Sequence, residues 1–171
     1  DDRTSFDYLP GRRAGLPLDG MDPGPRKLAY ALMASGLSET GNAKALSIMS
    51  LEAVLAGIEG AGRRRRRHPD EYYFALFGEP DESRPWGWRV EGHHISLNFL
   101  VTPAGIARTP NFFGANPGRV PEGPLAGWRV LAQEEDLARR LLGMLDEEPR
   151  RRAIFLAEAP PDIVTKTERH V

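Results

Sequence analysis

Two adjacent histidines, His93 and His94, are the residues of this sequence whose type and setting are best suited to chemistry. A neutral imidazole can bind a transition metal or act as a base near neutral pH. The histidines directly follow Glu91-Gly92, and apolar and polar residues alternate on both sides of that dipeptide. This pattern predicts two strands joined by a tight turn, with the histidines at the start of the second strand.

A two-residue turn at Glu91-Gly92 also predicts which residues share a face of the hairpin, because directly opposed residues lie on the same side of a sheet. The apolar face would carry Trp86, Trp88, Val90, His93, Ile95, Leu97 and Phe99. The polar face would carry Arg89, His94, Ser96 and Asn98. A three-residue loop would mix the two sets, so the pattern favours the shorter turn. Burial of His93 and the positive charge beside His94 would both favour neutral imidazole.

This hairpin supports two hypotheses of function. The first is a metal-dependent enzyme in which His93 and His94 bind a divalent metal ion, while Arg89 and Asn98 orient an anionic or carbonyl substrate. Its catalytic residues would be His94, Arg89 and Asn98. Because adjacent residues of a strand point to opposite faces, the remaining metal ligands would have to come from elsewhere. A purely structural role for both histidines is the alternative.

The second hypothesis is a non-catalytic binding module that holds a small polar ligand or a protein partner. Its ligand-binding residues would be Trp86, Trp88, Ser96 and Asn116. The tryptophans, with Tyr72 and Tyr73, could also be ordinary core aromatics of a sheet packed on helices. Ser96 and His94 lie two positions apart on one strand, too far for a direct nucleophile–base bond.

Composition narrows the classes of partner. The chain has 171 residues, 23 basic and 24 acidic, so no net field selects nucleic acid or an anionic membrane, and we expect neither as a partner. The run from Arg63 to Arg67 could bind phosphates, but its place between a helix and a strand favours a solvated linker. Cysteine is absent, which excludes disulfides and thiolate chemistry. No apolar run approaches the roughly 20 residues of a membrane-spanning helix.

The elements that would position the hairpin follow from residue periodicity. After an irregular segment at 1–20, helices are predicted from Asp22-Pro23 to Gly36 and over about 41–59. Strands are predicted at 72–77, 86–90, 93–101 and 106–109, followed by a loop at 111–127. Helices at about 133–145 and after Asp146 complete the order. We therefore expect a soluble α+β domain with two helices, an antiparallel meander of about four strands, and two more helices.

Several of these stretches resemble the Domain of Unknown Function 3500 family. The resemblance is carried by the residues from Glu71 to Pro80, from Trp86 to Arg89 and from Glu91 to Phe99. Further matching stretches lie at 13–18, 109–110, 113–117 and 127–131, and the likeness covers nearly the whole chain. The sequence departs from the family pattern at Pro25, and at His68, where an acid would be expected.

The resemblance implies that members are about twice this length and that a second half carries further histidines. The chain starts at Asp1 without an initiator methionine, and we interpret residues 1–171 as a single domain or the N-terminal lobe of a longer protein. That missing C-terminal half would be its first partner and would supply the additional metal ligands. A signal segment upstream stays open, and so does the cellular location.

Overall fold

The computed structural model describes residues 2–60 and 68–168. The arginine run from Arg63 to Arg67 lies outside these described residues. The chain forms two compact units, Asp1–Val130 and Leu131–Val171. The first unit contains the predicted hairpin, and the second contains the two C-terminal helices.

Two helices open the first unit after a short strand, β1 (Leu16–Pro17). Helix α1 spans Pro23–Gly36 and begins with proline, whose fixed φ suits the first turn. Helix α2 spans Glu39–Glu59, and its cap residue Ser38 accepts a hydrogen bond from the backbone N–H of Gly41 at 3.1 Å. Both helices agree with the predicted ranges to within a few residues.

Within the described part of the chain, six strands form one antiparallel sheet. After β1 come β2 (Tyr73–Phe77), β3 (Trp86–Gly92), β4 (Ile95–Thr102), β5 (Gly105–Ala107) and β6 (Asn111–Phe113). The strand order is β1-β2-β3-β4-β5, and β6 pairs with the beginning of β4. The α+β class is therefore confirmed. The predicted four-strand meander is too small, because β1 and β6 have two and three residues and are too short to show a periodic pattern.

The turn of the central hairpin corrects the predicted register. Gly92 pairs with Ile95, so the turn consists of His93 and His94 rather than Glu91-Gly92. His94 adopts φ +61°, a left-handed conformation that histidine takes more readily than most residues. Trp88 consequently lies opposite Phe99 rather than Ile95. Each residue of β3 pairs with a residue four positions further along the chain than predicted. Side chains alternate between the two faces of a strand, so a shift by an even number of residues leaves the strand residues on their predicted faces.

The apolar face of β3 and β4 packs against the helices. Trp88 and Phe99 stack with ring centroids 3.9 Å apart, and both rings lie against the end of α1. A Cβ at Gly36 would come within 2.7 Å of the Phe99 ring, so this close approach requires glycine. Burial of these residues, together with Val90, Ile95 and Leu97, fixes the orientation of the hairpin.

The second unit contains helices α3 (Ala132–Met144) and α4 (Glu147–Ala153), close to the ranges predicted from the sequence. Three large apolar side chains of α3 are exposed, those of Leu137, Leu141 and Met144. None of the described helices is both long enough and apolar enough to cross a membrane.

Candidate functional site

A carboxylate–imidazole pair lies where α2 meets the turn of the central hairpin. Glu52 Oε1 is hydrogen-bonded to Nδ1 of His93. The two side chains are nearly inaccessible, with 4% of Glu52 and 9% of His93 exposed. An acid and an imidazole are rarely buried together without a mutual bond, because each would otherwise lose its hydration without compensation. Their pairing explains how the core tolerates both.

The pair opens on a small pocket lined by Pro10, Gly11, Glu52, His68, Glu71, Tyr72 and His93. Its empty volume is about 230 Å³, including space open to solvent, and its enclosed part has room for about one water molecule. The lining brings together residues from the N-terminal segment, from α2, from the turn before β2 and from the hairpin turn. The pocket is therefore a place where polar groups from separate segments of the chain meet.

Tyr72 forms the buried wall of the pocket. Its hydroxyl donates a hydrogen bond to the backbone oxygen of His93 at 3.0 Å, which holds the hairpin turn in place. Burial, and secondarily the Glu52 carboxylate, raise the pKa of the Tyr72 phenol far above its ordinary value. The ring also lies against Gly92, where a Cβ would come within 2.5 Å of it. Glycine at position 92 therefore serves this packing rather than the turn.

His94 lies beside His93 and is half-buried. The two imidazole rings stack, with centroids 3.9 Å apart and an interplanar angle of 29°. Because both residues are in the turn, the expectation that they point to opposite faces of a strand is wrong. The backbone of His94 is anchored on both sides, since its N–H donates to Tyr8 and its oxygen accepts from Gly114, each at 2.8 Å.

A second buried cluster lies on the polar face of the same hairpin. Arg89 Nε is 3.1 Å from Glu91 Oε2, and Ser96 Oγ donates to Glu91 Oε1 at 2.7 Å. Arg89, Glu91 and Ser96 are almost completely buried. The N-terminal segment covers them, because Ser5 oxygen accepts from Arg89 Nη1 at 2.9 Å and Asp7 N–H donates to Glu91 at 3.1 Å. We refer to Arg89, Glu91 and Ser96 as the polar cluster.

The structure thus distributes the predicted site residues over several places. Arg89 and Ser96 belong to the polar cluster, and Asn98 joins it by donating to Ser96 Oγ at 3.1 Å. Trp88 is in the core, and Trp86 is half-buried at the start of the same strand. Asn116 is half-buried in the loop after β6. Of all the predicted site residues, only His93 lines the pocket. The functional roles assigned to all of them, including His93, stay predictions.

Glu52, Glu71 and His68 belong to the pocket and were not selected from the sequence. Glu52 carries a signal that could have identified it, because it follows Ile48 by four residues and precedes Leu55 by three. An acid at that spacing lies on the buried stripe of the helix, where an unpaired carboxylate would be costly. Its partner, however, is 41 residues away, and no local pattern identifies it.

Within residues 2–60 and 68–168, no three His, Asp or Glu side chains are grouped so that they could hold a metal ion. Comparison with known sequences gives one family: the model described as Protein of unknown function (DUF3500) matches residues 1–171. No curated protein and no solved structure matches the chain.

Proposed function

The chain belongs to the DUF3500 family, and we propose that it is an enzyme whose acid–base centre is the Glu52–His93 pair. One observation supports this proposal above others: a buried carboxylate is hydrogen-bonded to the imidazole at a polar pocket beside the hairpin turn. A base that is itself oriented by a third group is the arrangement by which many enzymes activate a nucleophile or abstract a proton.

The chemistry follows from the hydrogen bond. A carboxylate accepts, so Nδ1 of neutral His93 carries the hydrogen and Nε2 carries the lone pair. Nε2 can then take a proton from a substrate or from water, and the Glu52 carboxylate stabilises the imidazolium that forms. General acid–base catalysis by one such group typically contributes about 10²–10⁴-fold to a rate.

A metal-dependent enzyme is the second candidate, and the stacked pair of His93 and His94 favours it. Proteins commonly orient a metal-binding histidine with a carboxylate on its other nitrogen, as Glu52 does here. The further ligands of a divalent ion would come from outside the described residues.

A non-catalytic binding module would have to use the same pocket. Of the residues predicted to serve it, Ser96 is occupied internally, since its hydroxyl donates to Glu91, which also pairs with Arg89. Such a module would bind ligand without turning it over, and both its affinity and the enzyme's rate would depend on His93.

Turnover of a panel of small esters, amides and hydroxycarbonyl compounds tests the proposal. We expect His93→Gln to lower the rate by about 10²–10⁴-fold and Glu52→Gln to lower it in the same direction. Glu39→Gln is the matched control, because Glu39 is an exposed acid on the same helix. Loss of activity on chelation would favour the metal-dependent candidate. Full activity in both His93→Gln and Glu52→Gln would refute an acid–base centre here.

A further inference from the structure

We propose that His68 is a second functional group of the pocket, a fixed hydrogen-bond donor that complements the base His93, and that the site takes a neutral carbonyl- or hydroxyl-bearing group. This inference rests on the proposed function and adds to it a residue and a class of substrate. Its basis is the tautomers that the two histidines must adopt, and the donor and acceptor that they therefore present at one pocket.

His68 begins a tight turn whose geometry is set by its neighbours. Glu71 N–H donates to the His68 oxygen at 3.0 Å, which closes a four-residue turn with Pro69 in its second position. The turn is fastened to the rest of the unit by Asp70, whose carboxylate pairs with Arg26 and whose oxygen accepts from Asp19 N–H at 3.3 Å. His68 is exposed, but the turn on which it lies is anchored to the rest of the unit.

This turn determines the tautomer of His68. The backbone N–H of Asp70 donates to His68 Nδ1 at 3.2 Å. A nitrogen that accepts a hydrogen bond cannot carry a hydrogen, so in neutral His68 the hydrogen is on Nε2. His93 has the opposite arrangement, because its Nδ1 faces the Glu52 carboxylate. One ring of the pocket thus offers an N–H donor at Nε2 and the other offers a lone pair at Nε2.

A donor and a base at one pocket suit a substrate that must be polarised and deprotonated together. A carbonyl oxygen accepts a hydrogen bond from the donor, while the base removes a proton from an adjacent atom or from an attacking water. A hydroxyl group can satisfy both nitrogens at once. Either ligand is neutral and small enough for its polar tip to enter the enclosed part of the pocket.

An anionic carboxylate suits this pair of rings less well than a neutral group. An ionised carboxylate has acceptors but no hydrogen, so it can bond to the N–H of His68 but not to the lone pair of His93. A neutral ligand is therefore expected, in contrast to the anionic substrates considered for the hairpin from sequence alone.

The test is a ¹⁵N NMR experiment on the whole protein with labelled histidine rings. Near neutral pH we expect one fixed tautomer for each residue, with hydrogen on Nε2 of His68 and on Nδ1 of His93. Acetamide and acetate then serve as matched neutral and anionic probes. We expect acetamide to shift the Nε2 signals of both residues at concentrations at which acetate does not, and His68→Ala to weaken the acetamide effect at His93.

The outcomes separate this inference from the proposed function. Averaged tautomers or hydrogen on Nδ1 of His68, with His93 as expected, would overturn the role of His68 and leave the acid–base centre intact. Preference for acetate, or no response to acetamide, would overturn the substrate class. Averaged tautomers at His93 would instead contradict the proposed function itself. The variant His68→Gln keeps an N–H donor, and partial recovery of acetamide binding relative to His68→Ala would support a donor role over a structural one.

Discussion

Two groups of buried charged side chains flank the same hairpin, and they differ in what surrounds them. The polar cluster of Arg89, Glu91 and Ser96 is almost completely buried, and the backbone of the N-terminal segment bonds to Arg89 and to Glu91 Oε1. The Glu52–His93 pair is nearly as buried, yet it borders a pocket with three further ionisable residues, His68, Glu71 and Tyr72.

The comparison separates a cluster that stabilises the fold from a pair that is placed to take part in chemistry. A closed ion pair has no access for a substrate, and its principal effect is to fix how the N-terminal segment lies on the sheet. A buried pair at a pocket can exchange a proton with a ligand. Burial of charge alone therefore does not identify a functional site, whereas burial next to accessible volume does.

The largest expected effect would come from breaking the closed cluster. Glu91→Ala leaves the guanidinium of Arg89 buried without its partner, and we expect it to lower the free energy of unfolding by about 3–5 kcal/mol. Urea unfolding measures this. The double variant Arg89→Met with Glu91→Leu is the control, because replacing both charges with apolar groups should restore much of the loss. A single variant as stable as the parent would show that the cluster is not closed.

Adding a methyl group at Gly92 tests the same comparison at the pocket. Gly92→Ala places a methyl group against the Tyr72 ring and within 2.9 Å of the Glu71 oxygen. We expect a loss of about 1–3 kcal/mol, typical of overpacking, together with altered NMR signals of His93. Unchanged stability and an unchanged His93 spectrum would mean that the wall of the pocket yields easily and does not position the imidazole.

Glu52→Gln should be milder than Glu91→Ala, which is the direct contrast between the two groups. His93 can remain neutral when Glu52 loses its charge, and the pocket admits water to the freed polar atoms. We expect a loss of about 1–2 kcal/mol, within the range for one altered buried hydrogen bond. Thermal or urea unfolding measures it, with Glu39→Gln as the exposed control. A loss as large as that of Glu91→Ala would mean that the Glu52–His93 pair mainly stabilises the fold, as the polar cluster does.

The sequence predicted the hairpin and its two faces but not the turn. The two faces were predicted correctly because the true partners in β4 are displaced from the predicted ones by an even number of residues. Such a shift does not move a side chain to the other face of the sheet. Gly92 suggested a turn, whereas it is required in the strand by the Tyr72 ring. The turn instead uses His94 at positive φ, a choice that its type alone does not reveal.

The site was less predictable than the fold because its bonds join distant segments. Glu52 meets His93 across 41 residues, and Arg89 meets Ser5 across 84. The segment that covers the polar face has no periodic pattern, so nothing in the sequence showed that Arg89 would be enclosed. Helices and strands follow local periodicity, whereas such pairings depend on tertiary packing.

Tyr72→Phe should give the smallest loss, and its pH dependence is diagnostic. Removing the hydrogen bond to His93 should cost about 1 kcal/mol. The folded pKa of Tyr72 lies above that of the unfolded chain, so its contribution is complete below about pH 10 and declines as the unfolded phenol ionises. Urea unfolding near neutral pH and just above the ordinary pKa of tyrosine should show a smaller decline for Tyr72→Phe than for the parent. Equal declines would contradict a protonated phenol at this wall.

The ¹⁵N spectrum of His93 in the parent and in Glu52→Leu tests most directly whether a carboxylate holds this imidazole for proton transfer, because leucine has no acceptor for Nδ1–H. We predict a single tautomer in the parent, with hydrogen on Nδ1, and loss of that preference in Glu52→Leu while the fold is retained. Hydrogen on Nε2 in the parent, or identical spectra for the two proteins, would contradict a base oriented by Glu52.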